Sequence, residues 1–273
     1  MVMKKALLIA YHFPPLGGGG VFRTLKFTKY LHEFGYQPRV LTVKNSMYRE
    51  KDLTLCSEIP PEAKVFRTFS FEHRILRAPR LLNINLKWLY LPDENIGWLP
   101  CGILTGEKIV KKEKIDVIYA TSPIWTSLLI GFFLKKKTKK PFVVDFRDPW
   151  TGNPFVKYPT KFHKRFERKM EEAVLSQADY ITVATDSIKN SLIKRYPFTK
   201  SKIETVTNGF DSEDFTDLKL HKTGKFTITY VGSIYGLLTA KPFLTALKEL
   251  VEEKKEFREN IEVFEQVDEG MWK

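Results

Sequence analysis

Two cysteines, Cys56 and Cys101, are all the thiol chemistry that the 273-residue chain carries. Neither belongs to a CxxC pair or to a metal-ligand spacing, so no disulfide framework and no metal site is indicated. Two unpaired thiols fit a reducing cytosol. Long apolar runs are missing as well. The longest, Ile124 to Leu134, is broken by Thr126 and Ser127. A spanning helix needs ~20 apolar residues, so this run reads as a buried helix. The opening MVMKKALLIAYHFPP has the basic start of a signal peptide. Its apolar stretch Ala6–Ala10 is too short for the core of such a signal, and Pro14-Pro15 ends it. No internal repeat is found, and no low-complexity tract beyond a lysine run. These absences predict a cytoplasmic protein, soluble or attached peripherally to a membrane.

What is present is charge, unevenly spread. Hydrophobic residues make up 43% and charged residues 28%, values that suit a globular core. The formal net charge is +13, yet residues 249–273 hold nine acids against four bases. The body before them is therefore more basic than the whole. A basic body attracts phosphates, whether of nucleotides, lipid headgroups or nucleic acid. No nucleic-acid-binding motif accompanies the charge, so no nucleic acid partner is expected.

Short β-rich runs alternate with helical patterns. Strands are predicted at Ala6–Ala10, Arg39–Val43, Lys64–Thr68, Ile115–Tyr119, Pro141–Asp145, Tyr180–Val183 and Ile203–Val206. Helices are predicted over 20–34, 99–113, 123–135, 160–178 and 186–195. In the first, Phe27, Tyr30, Leu31 and Phe34 share one face, and Gly35 is the stop. In the fourth, Phe162, Phe166, Met170, Ala173 and Val174 do so. The alternation implies βαβ units: an α/β fold with a parallel sheet and helices on both faces. Domain one is predicted to end at Asn208-Gly209. Residues 210–224 read as a polar linker. A second unit, 225–273, offers a strand at Phe226–Val231, a helix over 239–254 and a strand at Ile261–Phe264. One such unit is smaller than a complete open α/β domain, which takes roughly 100 residues or more, so this domain is expected to be cut short.

The strongest chemical feature is Gly17-Gly18-Gly19-Gly20, between the first strand and the first helix. Four glycines let the backbone approach a ligand without Cβ clashes. The helix start offers free N–H groups and a partial positive charge to an anion. Arg23, in the first turn, can add a charge-assisted bond. The run is neither a Walker A loop nor GxGxxG, since Phe22 stands where the last glycine would be. A tight turn without a ligand is the plainer alternative.

A second feature, Asp145-Phe-Arg-Asp-Pro-Trp150, follows a strand at the sheet edge where open α/β folds bind ligands. Arg147 can fork onto a phosphate or carboxylate, and Asp148 can accept from a sugar hydroxyl. An Arg–Asp pair bracing the loop is the other reading. His12 ends the first strand and can bind a substrate hydroxyl or a backbone group. Ser122-Pro123 ends another strand and reads as loop-shaping. The lysines between 135 and 140 fit a solvated face or an anionic membrane surface, and the bases among aromatics from Phe66 to Trp98 suit a membrane interface or a nucleic acid.

Together these pieces resemble family 4 glycosyltransferases of the GT-B fold. The likeness rests on Tyr11-His-Phe-Pro-Pro-Leu-Gly-Gly-Gly-Gly-Val-Phe-Arg23, Leu91-Pro-Asp93 with Trp98, and Ala120-Thr-Ser-Pro123. It rests also on Asp145–Trp150, Asn208-Gly-Phe-Asp211 with Phe215, and Tyr230-Val-Gly-Ser233. The resemblance implies two Rossmann-like domains, the first for the acceptor and the second for the nucleotide sugar, and transfer with retention. It implies that Gly18, Gly19, Gly20 and Arg23 face the donor diphosphate across the cleft. Arg147 and Asp148, with His12, would serve the reaction on the acceptor side, and Gly232 and Ser233 would touch the donor phosphates. Asn208 and Gly209 would lie at the hinge. The acceptor would be a cell-surface glycan or a lipid-linked sugar, with a nucleotide sugar as co-substrate and no metal. The family's two donor-binding glutamates, separated by seven residues, have no counterpart beyond residue 225. The 273-residue chain is therefore expected to be inactive alone. The alternative reading is a non-enzymatic module, derived from such an enzyme, that binds an anion or a partner.

Overall fold

A computed structural model describes residues 3–44, 46, 48, 50–71, 90–153, 156, 158–216, 224–232 and 239–266, with backbone only at 255, 265 and 266. The chain divides into two units, Met1–Phe210 and Asp211–Lys273.

The first unit is built on seven parallel strands: β1 (Lys4–Ile9), β2 (Tyr36–Val43), β3 (Lys64–Thr68), β4 (Val117–Thr121), β5 (Phe142–Phe146), β6 (Tyr180–Val183) and β7 (Ile203–Thr205). Their order is β3-β2-β1-β4-β5-β6-β7. Leu8 lies beside Val40 on one side and Tyr119 on the other. Leu7, Leu8 and Ile9 have no exposure at all, which is why β1 reads as an unbroken apolar run. The chain winds outward from β1 to β3, then crosses back to β4 and winds the other way. The strand order therefore reverses between β1 and β4, where a crevice forms at the carboxyl ends.

The flanking helices are α1 (Gly19–Tyr30), α2 (Leu99–Lys112), α3 (Trp125–Thr138), α4 (Lys161–Gln177) and α5 (Asp186–Arg195). Residues 125–131 of α3 are all buried, as is Leu134, which explains the apolar run around it. No helix among the described residues is long and apolar enough to cross a membrane. At the carboxyl end of α3, Lys135 pairs with Asp179 and Lys137 with Glu107, while Lys136 and Lys139 are exposed.

Two helices depart from their expected faces. The predicted helix over 20–34 ends at Tyr30, and Leu31–Phe34 form a 3-10 turn closed by Gly35 at φ +80°. Its buried face carries Val21, Thr24, Leu25 and Thr28, whereas Phe34 is 74% exposed. The threonines hid this face: Thr28 satisfies its hydroxyl on the Thr24 carbonyl, 2.8 Å away, and so can be buried. In α4 the face is rotated by one residue. His163, Glu167, Glu171, Val174 and Leu175 point inward, while Phe162 is 67% and Phe166 43% exposed. Burying two glutamates in place of two phenylalanines requires partners from elsewhere in the chain, described below.

The second unit contains β8 (Phe226–Val231), α6 (Lys241–Glu253), α7 (Lys255–Asn260) and β9 (Ile261–Gln266), with β8 and β9 paired in parallel. The last strand is longer than expected, and α7 was not foreseen. Among the described residues beyond Asp211, no side chain is buried.

Candidate functional site

The crevice at the β1/β4 switch point is assembled from the segments that leave β1, β4 and β5. After β1 the chain passes through His12 and turns at Gly18, whose φ of +77° is a left-handed conformation that favours glycine. α1 starts at the next residue. Gly18 caps it without a side-chain bond, and no acid occupies the first turn. The positive end of the helix dipole is thus turned to the crevice, with the Glu50 carboxylate and the Tyr48 hydroxyl beside Gly18. A Cβ on Gly20 would stand 2.6 Å from His12 Nδ1, whereas one on Gly19 would meet nothing within 4 Å.

Arg23 does not face the crevice. Its guanidinium is turned inward and forks onto Asp145, with Nη2 2.8 Å from Oδ1 and Nε 3.1 Å from Oδ2. Nη1 donates to the Thr207 carbonyl at 3.0 Å and to Asn208 Oδ1 at 3.3 Å. Asp145 is fully buried and also accepts from the hydroxyls of Thr121 at 2.7 Å and Thr182 at 2.6 Å. Burial acts against the charge of Arg23, but the carboxylate outweighs it and the pKa is raised. Arg23, expected by resemblance to face the donor diphosphate, here ties α1 to the sheet and to the Thr207–Asn208 segment.

Arg147 is committed as well. Its backbone N–H donates to Ser122 Oγ at 3.0 Å, Nε to the Ser122 carbonyl, and Nη1 to the Gly20 carbonyl at 2.6 Å. It therefore clamps the glycine turn to the end of β4. Burial lowers its pKa, opposed by Asp145. His12 makes no hydrogen bond through its buried Nδ1. Burial, and then the Arg147 charge, lower its pKa to about 4, so the ring is neutral at neutral pH. Asp148 is exposed, as are Asn208 and Gly209. The glycine turn, the segment from Asp145 and Asn208 are joined through hydrogen bonds of Arg23 and Arg147 at this one edge. Gly232 belongs to the second unit, with φ +157°, and Ser233 lies outside the described residues.

A second polar cluster escaped the sequence. Glu171 is fully buried and accepts from Arg195 Nη1 at 2.6 Å, from Tyr196 Oη at 2.8 Å and from the Thr151 hydroxyl. Glu167 Oε2 accepts from Trp150 Nε1 at 3.1 Å, and Trp150 stacks on Trp125 at 5.2 Å. Asp93 caps α3, accepting from Thr126 N at 2.8 Å and Thr126 Oγ1 at 2.7 Å. Burial raises its pKa against those bonds. The only signals were the Leu91-Pro-Asp93 motif and the Trp after Asp148-Pro149. The glutamates carried none, because their partners lie on separate elements.

Burial raises the Glu167 carboxyl to about 7, with Asp93 and Glu171 adding to the shift and the Trp150 N–H opposing it. In the unfolded chain a glutamate titrates at about 4.3. Between those values the folded state keeps a proton that the unfolded state has released, so stability from this group falls as pH rises from about 4 to 7. Glu167→Gln keeps an acceptor for Trp150. It is expected to stabilise the protein at pH 8 by on the order of 1–3 kcal/mol and to change little at pH 4. Thermal melts at the two pH values check this. The same shift at both would show that Glu167 is not held protonated by the fold.

A doubly wound sheet with a glycine turn and a helix start at its switch point defines a Rossmann-like α/β domain of the ligand-binding kind. The sequence model of Glycosyltransferase Family 4 matches residues 17–214, and the chain belongs to that family. Among solved structures, a glycosyltransferase from Rickettsia africae ESF-5 superposes with a TM-score of 0.52 at 16% identity, over 98% of this chain and 69% of that one. The lipopolysaccharide outer core galactosyltransferase WaaB, in its apo form, gives 0.52 at 14% identity, over 99% and 70%. Phytolacca americana UGT2, complexed with UDP-2fluoro-glucose and pterostilbene, gives 0.54 at 10% identity, over 98% and 72%. At these identities the likeness is one of fold. No curated protein sequence matches the chain with significance.

Proposed function

We propose that the chain is the acceptor-side part of a retaining glycosyltransferase. It would pass a sugar from a nucleotide sugar to a cell-surface glycan or lipid-linked acceptor. The observation that carries this reading is the start of α1, which no side chain caps and whose own first turn holds no acid, at the carboxyl ends of β1 and β4; the Glu50 carboxylate beside Gly18, held by Tyr48, is the one anion described next to it. In such a transfer the leaving diphosphate gains negative charge, and fixed N–H groups stabilise that charge without reorganising. Gly18, Gly19 and Gly20 supply them here, held in place by the Arg147 clamp on the Gly20 carbonyl. The neutral His12 ring and the exposed Asp148 carboxylate serve the hydroxyls of the substrates. By resemblance, Gly232 and Ser233 of the second unit meet the donor phosphates. By resemblance, the transfer calls for no metal ion.

We also propose that the 273-residue polypeptide does not complete a turnover by itself. Reacting centres must be held within about 3–3.5 Å of one another. A second unit without a single buried side chain beyond Asp211 among its described residues offers little with which to grip a donor. Release of nucleoside diphosphate and appearance of glycosylated acceptor should stay at the level of an Asp148→Ala control. Transfer above that control contradicts the proposed inactivity.

A further inference from the structure

α4 turns an aromatic and basic face to solvent. Phe162 and Phe166 stand one turn apart on its outer side, and both are exposed. Their rings stack on each other, with centroids 6.0 Å apart and planes inclined by 19°. Around them Lys161, Lys164, Arg165, Arg168 and Lys169 are exposed too. None of these bases takes part in an ion pair, a side-chain hydrogen bond or a ring contact among the described residues. Elsewhere in the first unit exposed lysines do find acids, as Lys64 finds Glu113 and Lys111 finds Glu107. The acids of α4 cannot serve in that way. Glu167 and Glu171 point into the core, and Glu172 is the one exposed acid on the helix.

Phe162, Arg165, Phe166 and Lys169 follow the i, i+3, i+4, i+7 spacing and form a single stripe. It lies on the side away from the buried His163, Glu167, Glu171 and Val174. Unpaired bases call for an anionic surface. Apolar rings among them call for one with an apolar interior beneath its charge, which an anionic bilayer offers. A nucleic acid would need free ring faces for base stacking, and these rings turn one face each toward the other. β5 and β6 run parallel, so α4 between them runs back. Its first turns therefore lie at the carboxyl edge of the sheet, the edge that holds the crevice.

We propose that the outer stripe of α4, centred on Phe162 and Phe166, docks the protein on an anionic lipid bilayer. The rings enter the headgroup boundary, and the bases lie among the lipid phosphates. The inference stands on this face alone and goes beyond the transferase reading. Where both hold, the acceptor is the lipid-linked one, since the crevice opens at the docked edge.

Flotation of the 273-residue chain with vesicles tests it, with no nucleotide present. The probes are vesicles of phosphatidylcholine alone and of phosphatidylcholine with an equal share of phosphatidylglycerol. Binding to the anionic vesicles should be tighter by on the order of tenfold or more, since each base near an anionic surface contributes about fivefold. Phe162→Ser with Phe166→Ser leaves the charge unchanged and should weaken binding by roughly fivefold or more. Arg165→Gln with Lys169→Gln should weaken it by roughly tenfold or more. Lys136→Gln with Lys139→Gln removes the same charge from another exposed place and should weaken it by less than about threefold. All these side chains are exposed, so the thermal midpoints should stay with that of the parent. Equal binding to both vesicles, binding unmoved by the phenylalanine variant or by the base variant, or an equal loss in the Lys136 and Lys139 variant overturns the proposal. So does an oligothymidylate that binds where vesicles do not and is released by the same variants. Vesicles that stay unbound, while the glycine-turn amides respond to nucleoside diphosphates, would sink the docking surface and leave the transferase reading standing.

Discussion

Replacing Arg23 with alanine should lower the thermal midpoint of the first unit by on the order of 10 °C. The guanidinium and the Asp145 carboxylate form a buried pair, with side-chain exposures of 5% and 0%. Removing one member of such a pair leaves the other charged and unpaired in a poor solvent, at a cost of about 3–5 kcal/mol. For a unit of this size each kcal/mol moves the midpoint by about 2–4 °C. The Thr121 and Thr182 hydroxyls still hold Asp145 in the variant, which keeps the loss nearer the lower figure. Arg23→Lys restores a charge but not the fork, and should fall between the two. Calorimetry on the three proteins decides the matter. A midpoint shifted by less than about 2 °C, together with loss of nucleotide affinity, would return Arg23 to the crevice and to direct ligand contact.

The case of Arg23 shows where the sequence stops being legible. Its place in the first turn of α1 is local information, and so is the glycine turn before it. Its partner Asp145 lies 122 positions away, and no spacing rule reaches that far. The strands were readable because a parallel sheet buried on both faces demands apolar residues without alternation, as Leu7-Leu8-Ile9 and Phe142-Val143-Val144 supply. The faces of α1 and α4 were misread for the opposite reason. A hydrophobic stripe was drawn through Phe162 and Phe166, while the buried stripe runs through His163, Glu167 and Glu171. Glutamates can line a core only where an arginine, a tyrosine and a tryptophan arrive from other elements, as Arg195, Tyr196 and Trp150 do here. The position of the candidate site was legible, because each motif follows a strand. The inward or outward sense of its arginines was not.

Limited trypsin digestion should cut the chain between residues 210 and 225 and leave a resistant fragment close to 1–210. Lys219, Lys222 and Lys225 provide the sites. The second unit pairs two parallel strands, but Phe226 is 67%, Val231 73% and Phe264 52% exposed, and its described side chains form no buried core. Segments with so little burial open at almost no free-energy cost, whereas the first unit must open against its full stability. Cleavage in the second unit should therefore be at least on the order of 100-fold faster than loss of the core fragment. The intact chain surviving as long as the 1–210 fragment would mean that residues 211–273 are stabilised by something other than their own packing.

The central claim is that the start of α1 is built to receive a donor diphosphate, and Gly19→Asp tests it most directly. A side chain at position 19 meets nothing within 4 Å, so the fold should tolerate it. An acid in the first turn of a helix is mildly stabilising, by about 0.3–1 kcal/mol. The same carboxylate would occupy and repel the place intended for the diphosphate. The measurement is a titration of the isotopically labelled chain with UDP, GDP, ADP and dTDP, following the backbone amide signals of residues 18–20. The account predicts that at least one nucleotide moves these signals in the parent chain, and that Gly19→Asp, folded and no less stable, loses the response by tenfold or more. Amide signals at 18–20 that stay still for every nucleotide, or that respond equally in the variant, would contradict it.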